Sequence, residues 1–189
     1  MHALKRLLIA VATVAVAVPS TAQVGGYDGE MFVKAIRDGR GNEALQLLQD
    51  KPSLVNARDL NGKTALIAAI ENRDRDWAGH LLQKGADANL ADKNGDTPLI
   101  IAARMGSQDV AEWLVGLGAK VNATNRAGET PLIAAVQARQ VAIVRMLMNH
   151  GADPDRTDSV AGYSARDYAK RDNRTPELLR TIEAKKPKP

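Results

Sequence analysis

One phrase is written three times at a fixed interval, and that interval constrains the fold more than any single residue. "NGKTALIAAI" begins at Asn61, "NGDTPLIIAA" at Asn94 and "AGETPLIAAV" at Ala127, each start 33 residues after the last. Gly62, Gly95 and Gly128 keep this register, as do Thr64, Thr97 and Thr130, and Leu66, Leu99 and Leu132. Further along each unit, Leu81, Leu114 and Leu147 repeat the spacing. So do the pairs Gly85-Ala86, Gly118-Ala119 and Gly151-Ala152, while Asn89 and Asn122 are followed at the next step by Asp155. A period of this size belongs to chains built by stacking one supersecondary unit on the next.

Physical chemistry explains the phrase. The glycine supplies a turn residue that tolerates positive φ. The threonine caps a helix through its hydroxyl, and proline at the first helical position loses only an amide without a helical partner. The alanine pairs Ala68-Ala69, Ala102-Ala103 and Ala134-Ala135 let helices of neighbouring units approach closely. Gly85, Gly118 and Gly151 stop a second helix in the left-handed conformation. A single unit carries too few large apolar side chains to offset the ordering of its own backbone, so stability must reside between units. With one Phe, two Trp and three Tyr, the chain is poor in the aromatic residues a sandwich or barrel would use. An all-α fold follows.

These residues resemble the ankyrin repeat, whose pattern runs Asp-x-x-Gly-x-Thr-Pro-Leu-His-x-Ala-Ala and closes on Leu-Leu-x-x-Gly-Ala-x-x-Asn. The stretch "DKNGDTPLIIAARMGSQDVAEWLVGLGAKVNA" from Asp92 carries it most fully. The resemblance implies an ankyrin-repeat solenoid of stacked helix-turn-helix units with β-turn fingers, about five repeats including two degenerate capping repeats. Residues 59–91, 92–124 and 125–157 form the full repeats. Residues 29–58 form an N-terminal cap, with Phe32 at the Leu position and Ala35 at an Ala position, and residues 158–184 form a C-terminal cap. Arg37, Asp38 and Arg40 at one end, and Arg166, Asp167, Lys170 and Arg171 at the other, suit exposed caps.

Four departures carry expectations. The family's His is Ile67, Ile100 and Ile133 here, which shifts the array toward apolar stacking. Its Gly between the two helices survives as Gly106 but is Arg73 and Arg139 elsewhere, so those junctions are expected to be strained or reshaped. The turn from Asp158 to Gly162 is one residue longer than the others, and the last repeat is expected to dock imperfectly. Trp77 falls at an inward, usually aliphatic position and is expected in the core.

The N-terminus reads differently. Lys5 and Arg6 precede an uncharged run from Leu7 to Val18, and small residues lead to a cleavage site after Ala22. This is the layout of a secretory signal peptide. A membrane span needs about 20 apolar residues, and Pro19 ends this run early. Residues 23–28 then read as a linker and 185–189, "KPKP" with its preceding lysine, as a disordered tail. The expected location is the periplasm of a Gram-negative bacterium, reached by the Sec route, with no stable membrane insertion after cleavage. An uncleaved leader would instead make a signal-anchored structural or envelope-tethering protein. The chain's net charge of +4 falls to +2 once Lys5 and Arg6 are removed, which says little about a partner.

No catalytic constellation is present. Without cysteine there is no disulfide, thiolate zinc site or cysteine nucleophile. His80 and His150 occupy unrelated positions in their repeats and read as helix-surface residues, not metal ligands. Asp74 and Asp76 open a helix, where negative charge suits the dipole. "DLNGK" and "DKNGD" lack the closing Glu of a calcium loop, and the Asn122-Ala-Thr124 triplet belongs to the repeat's own turn. Trp113 shares an outer-helix row with His80 and Met146 and is expected to be partly buried between neighbours. No cofactor, no metal and no enzymatic activity are expected.

What the resemblance implies is protein binding, by a long concave surface of turn tips and inner-helix ends whose residues change while the framework holds. Carried over position by position, the turns contribute Leu60 and Lys63, Lys93 and Asp96, and Arg126 and Glu129. The helix ends contribute Glu71 and Asn72, Arg104 and Met105, and Gln137 and Ala138. The charges on this face are mixed, and a nucleic-acid binder's basic stripe with stacking aromatics is missing. The expected partner is another protein, bound by a monomer.

Overall fold

A computed structural model describes residues 26–184. The leader and the tail of the sequence reading lie outside the described residues. Among the described residues ten α-helices follow one another as five antiparallel pairs: α1 (Tyr27–Arg37) with α2 (Gly41–Asp50), α3 (Ala65–Glu71) with α4 (Arg75–Gln83), α5 (Pro98–Met105) with α6 (Gln108–Gly116), α7 (Pro131–Gln137) with α8 (Val141–Asn149), and α9 (Ala165–Arg171) with α10 (Glu177–Glu183). A 3₁₀ turn at Pro52–Asn56 closes the first pair. Among the described residues the only strand-like pairings are the isolated bridges Arg58–Thr64 and Thr157–Ser164.

The odd-numbered helices stack face to face from α1 through α9, and the even-numbered helices lie outside them. The inner stack is where the repeated phrase acts. Thr64, Thr97 and Thr130 accept hydrogen bonds from the amides of Ile67, Ile100 and Ile133 at 3.2, 3.3 and 3.1 Å. The alanine pairs are fully or almost fully buried, and so are the three isoleucines that replace the family's His. Apolar stacking does fill those places. Ser164 starts α9 with a capping box to Asp167.

Arg73 and Arg139 adopt φ of 58° and 56°, the same left-handed turn that Gly106 makes at 75°. The junctions keep the family geometry and carry strain, rather than being reshaped, because the chain must reverse there whatever residue is present.

Three expectations change. The last turn docks like the others: the Ser159 amide donates to the Ala127 carbonyl at 2.8 Å, as the Arg126 amide does to Asn94 one repeat earlier and the Lys93 amide to Asn61 two repeats earlier. The Asp158 carboxylate absorbs the extra residue by accepting from the amides of Val160, Ala161 and Gly162. Helix α1 begins at Tyr27, inside the stretch assigned to a linker, with Asp28 and Glu30 in its first turn and Asp28 paired to Lys51. Trp77 is half-buried at the rim and not enclosed in the core; its indole lies over Gly41, where an added Cβ would come within 3.0 Å of Nε1.

Candidate functional site: the finger row and inner-helix ends

Each finger is built around one side chain. An oxygen of Asp59, Asp92 or Asn125 accepts from the amides two and four residues on, at 2.8–3.0 Å. These bonds fold the turn locally. A second set joins the turns to one another: the Lys93 amide donates to the Asn61 carbonyl at 3.1 Å, and the Arg126 amide to the Asn94 carbonyl at 2.9 Å. With Ser159 donating to Ala127, four fingers form a continuous ribbon whose spacing is set by backbone.

Behind the tips, three of the four repeats pair the residue before the helix cap with the residue eight positions on, at the end of the inner helix. Lys63 Nζ meets Glu71 at 2.6 Å. Asp96 meets Arg104, with the guanidinium donating to both carboxylate oxygens at 3.1 and 3.2 Å. In the last repeat Arg171 donates to the Tyr163 hydroxyl at 2.9 Å and stacks over its ring. In the third repeat the residue eight positions on from Glu129 is the uncharged Gln137, and Glu129 turns back to Arg104 at 2.6 Å. Asn125 completes this knot by donating to Asp96 at 2.7 Å and Glu129 at 2.9 Å.

The knot sets the electrostatics. Burial alone would raise the Asp96 carboxyl, but the hydrogen bonds from Arg104 and Asn125 outweigh it and hold the group below its ordinary value. Burial works against the charged Arg104 guanidinium, and Asp96 and Glu129 override it, pushing its proton affinity further up. Both side chains stay charged at neutral pH.

This sorts the candidate residues. Asp96 is only 8% exposed, and its carboxylate is bonded to Arg104 and Asn125 inside the array. Lys63, Glu71, Arg104 and Glu129 are likewise engaged with one another. Asn72 donates to the Ile36 and Arg37 carbonyls at 3.0 Å each, which ties the second repeat to the first. Met105 packs against the core, and Ala138 is the half-buried cap of α7. Leu60, Lys93, Arg126 and Gln137 are exposed. Sequence reasoning missed Val160, which is 81% exposed at the fourth tip, and the Tyr163–Arg171 pair. The eight-residue finger-to-helix spacing could have found both partners of that pair once the longer last turn was allowed for.

A family model for ankyrin repeats in three copies matches residues 32–125 and again residues 80–158. The chain belongs to the ankyrin-repeat family. No curated protein matches the chain. Ankyrin repeats serve in general as protein–protein interaction modules and are typically non-enzymatic.

The outer face of the ankyrin array is sealed differently. Trp113 is 36% exposed, with its ring edge against Gly79 and the Arg75 guanidinium 5.2 Å above it; Met146, the next in its row, is buried. His80 departs from the surface residue expected. It is half-buried, its ring meets Trp77 edge-on at 5.4 Å, and its Nε2 has no hydrogen-bond partner among the described residues. His150 Nδ1 lies 2.9 Å from the Met146 carbonyl oxygen of its own helix. Among the described residues no three His, Asp or Glu side chains gather as a metal site, and no helix is long and apolar enough to cross a membrane.

Proposed function

We propose that this ankyrin protein is exported to the periplasm and binds another protein through its finger row and inner-helix ends, without catalysing a reaction. The observation that carries the reading is the contrast along that face. The framework of caps, turns and inter-finger bonds is the same in each repeat, whereas the exposed tips change from Leu60 to Lys93 to Arg126. A surface held rigid while its chemistry varies suits recognition of one partner, because binding then orders little of the protein itself. The sequence pattern of residues 1–22 supports export, with cleavage after Ala22.

The test is covalent capture of a partner in the intact cell envelope, followed by capture with Lys93→Glu/Met105→Glu. Arg104→Glu is unsuitable, since it would set a third carboxylate against Asp96 and Glu129. The expected result is one recurrent partner, lost in the double variant while circular dichroism still shows the folded helical array. Recovery of the same partner by the variant overturns the reading. The mass of the exported chain tests the leader: a start at Gln23 is expected, and an intact Met1 would favour an envelope tether.

A further inference from the structure

The four fingertips differ from the face behind them in one respect: they carry no acid. Residues 60 and 61 are Leu and Asn, 93 and 94 Lys and Asn, 126 and 127 Arg and Ala, and 159 and 160 Ser and Val. Leu60 is 78% exposed at one end of the row and Val160 comparably so at the other. Between them Lys93 and Arg126 are exposed, and among the described residues neither forms an ion pair. The acids nearest in the fold are already used. Asp96 and Glu129 share Arg104, Asp92 accepts the amides of Asn94 and Asp96, and Glu30 accepts the Leu60 amide at 2.8 Å. The row therefore reads apolar, cation, cation, and at the fourth finger Ser159 with the apolar Val160 next to it.

Spacing turns this row into a template. The fingers are bonded backbone to backbone, and the helices behind them stack at the usual separation of about 8–10 Å. In the extended polyproline II conformation three residues advance by about 9 Å and complete one turn. A segment of that kind laid across the tips would present every third residue, on one face, to successive fingers.

We propose that the fingertip row recognises an extended acidic peptide segment of a protein, with apolar residues at its first and tenth positions and carboxylates at its fourth and seventh. This rests on the reading of the array as a protein-binding module and names the chemistry it selects. The carboxylates meet Lys93 and Arg126, and the apolar residues cover Leu60 and Val160. Exposed charges of this kind contribute mainly selectivity and salt dependence, while the apolar ends remove surface from water.

The experiment uses the purified full chain and a fluorescent ten-residue peptide with Leu at positions 1 and 10, Asp at 4 and 7, and Ser elsewhere. Saturable binding is expected, weakened about tenfold when both Asp become Asn and weakened further by salt. Lys93→Glu/Arg126→Glu is expected to reverse the preference, so that a peptide with Lys at 4 and 7 now binds better than the Asp peptide. Equal binding of the Asp and Asn peptides, or no binding of either, overturns the proposal. So does equal or tighter retention by a single-stranded oligonucleotide or by phosphatidylglycerol vesicles, which would show attraction to any polyanion. Partner capture separates the two levels. A captured protein released by Met105→Glu but indifferent to Lys93→Glu/Arg126→Glu leaves the binding-module reading standing and removes the acidic segment; loss of all capture sensitivity on this face removes both.

Discussion

Asn89 grips the neighbouring repeat at Gly118 from one side chain: its Nδ2 donates to the Gly118 carbonyl at 3.1 Å while its Oδ1 accepts from the Lys120 amide at 2.9 Å. Asn56 does the same to Gly85 and Asp87, and Asn122 to Gly151 and Asp153. These amides satisfy backbone groups that the ends of α4, α6 and α8 leave over. At the fourth step the residue is Asp155, which has no amide to donate, and it holds Arg166 at 2.7 Å instead. Asn89→Ala removes both bonds at one junction and is expected to lower stability by about 1–2 kcal/mol, since each is worth roughly 0.5–1.5 kcal/mol net. Urea unfolding followed by circular dichroism measures this; a loss within error would show that water replaces both bonds.

The Asp96 carboxyl is held below its ordinary value in the folded chain, so folding favours its charged form. The unfolded group titrates near its usual value of about 3.9, and the stabilisation is fully present above that pH and is lost as pH falls through the lower folded value. Asp155, Asp158, Asp167 and Asp172 shift in the same direction. The melting temperature is therefore expected to be flat from pH 7 to 5 and to fall steeply below pH 4. Asp96→Asn should start lower at pH 7 and fall less on acidification. A variant curve parallel to the wild type would place the acid sensitivity elsewhere.

Arg73 and Arg139 share a left-handed backbone yet differ in what their side chains do. Arg139 Nε reaches Asp172 in the next repeat at 2.6 Å, and among the described residues Arg73 forms no ion pair. Glycine relieves the same strain at both places and loosens the unfolded chain equally. Arg73→Gly is expected to leave the melting temperature unchanged or raise it, and Arg139→Gly to melt lower than Arg73→Gly. Equal melting temperatures would mean that the Asp172 contact contributes nothing.

The backbone of this molecule was legible because its information is local and repeated. A turn glycine, a capping threonine and an alanine pair each act within a few residues, and the 33-residue register shows them three times. The long-range part was not legible. That Arg104 serves two carboxylates depends on Glu129, 25 residues away, whose own repeat carries the uncharged Gln137 and not a cation at the helix end. Trp77 looked inward by register, but its indole lies over Gly41 of the degenerate first repeat, and it stays at the rim. The last turn's extra residue was visible, while its remedy, one carboxylate gathering three amides, needed coordinates.

Finger glycines and helix-stop glycines look alike in sequence, with positive φ of 74° at Gly128 and 88° at Gly85. Their surroundings differ. A Cβ on Gly85 would meet nothing within 4 Å, so Gly85→Ala suffers only the left-handed backbone, about 1–2 kcal/mol. A Cβ on Gly128 would come within 2.7 Å of the Ser159 amide nitrogen and 2.6 Å of its hydroxyl. The hydroxyl can rotate away; the amide cannot, because it is bonded to the Ala127 carbonyl. Gly128→Ala must therefore part the third and fourth fingers. It is expected to destabilise the chain by at least about 1 kcal/mol more than Gly85→Ala, the net worth of a lost hydrogen bond. Amide hydrogen exchange should show the difference locally, with Ser159 losing protection in Gly128→Ala and keeping it in Gly85→Ala. Retained protection at Ser159 would show that the fingers are held by the helices behind them and not by the ribbon of backbone bonds.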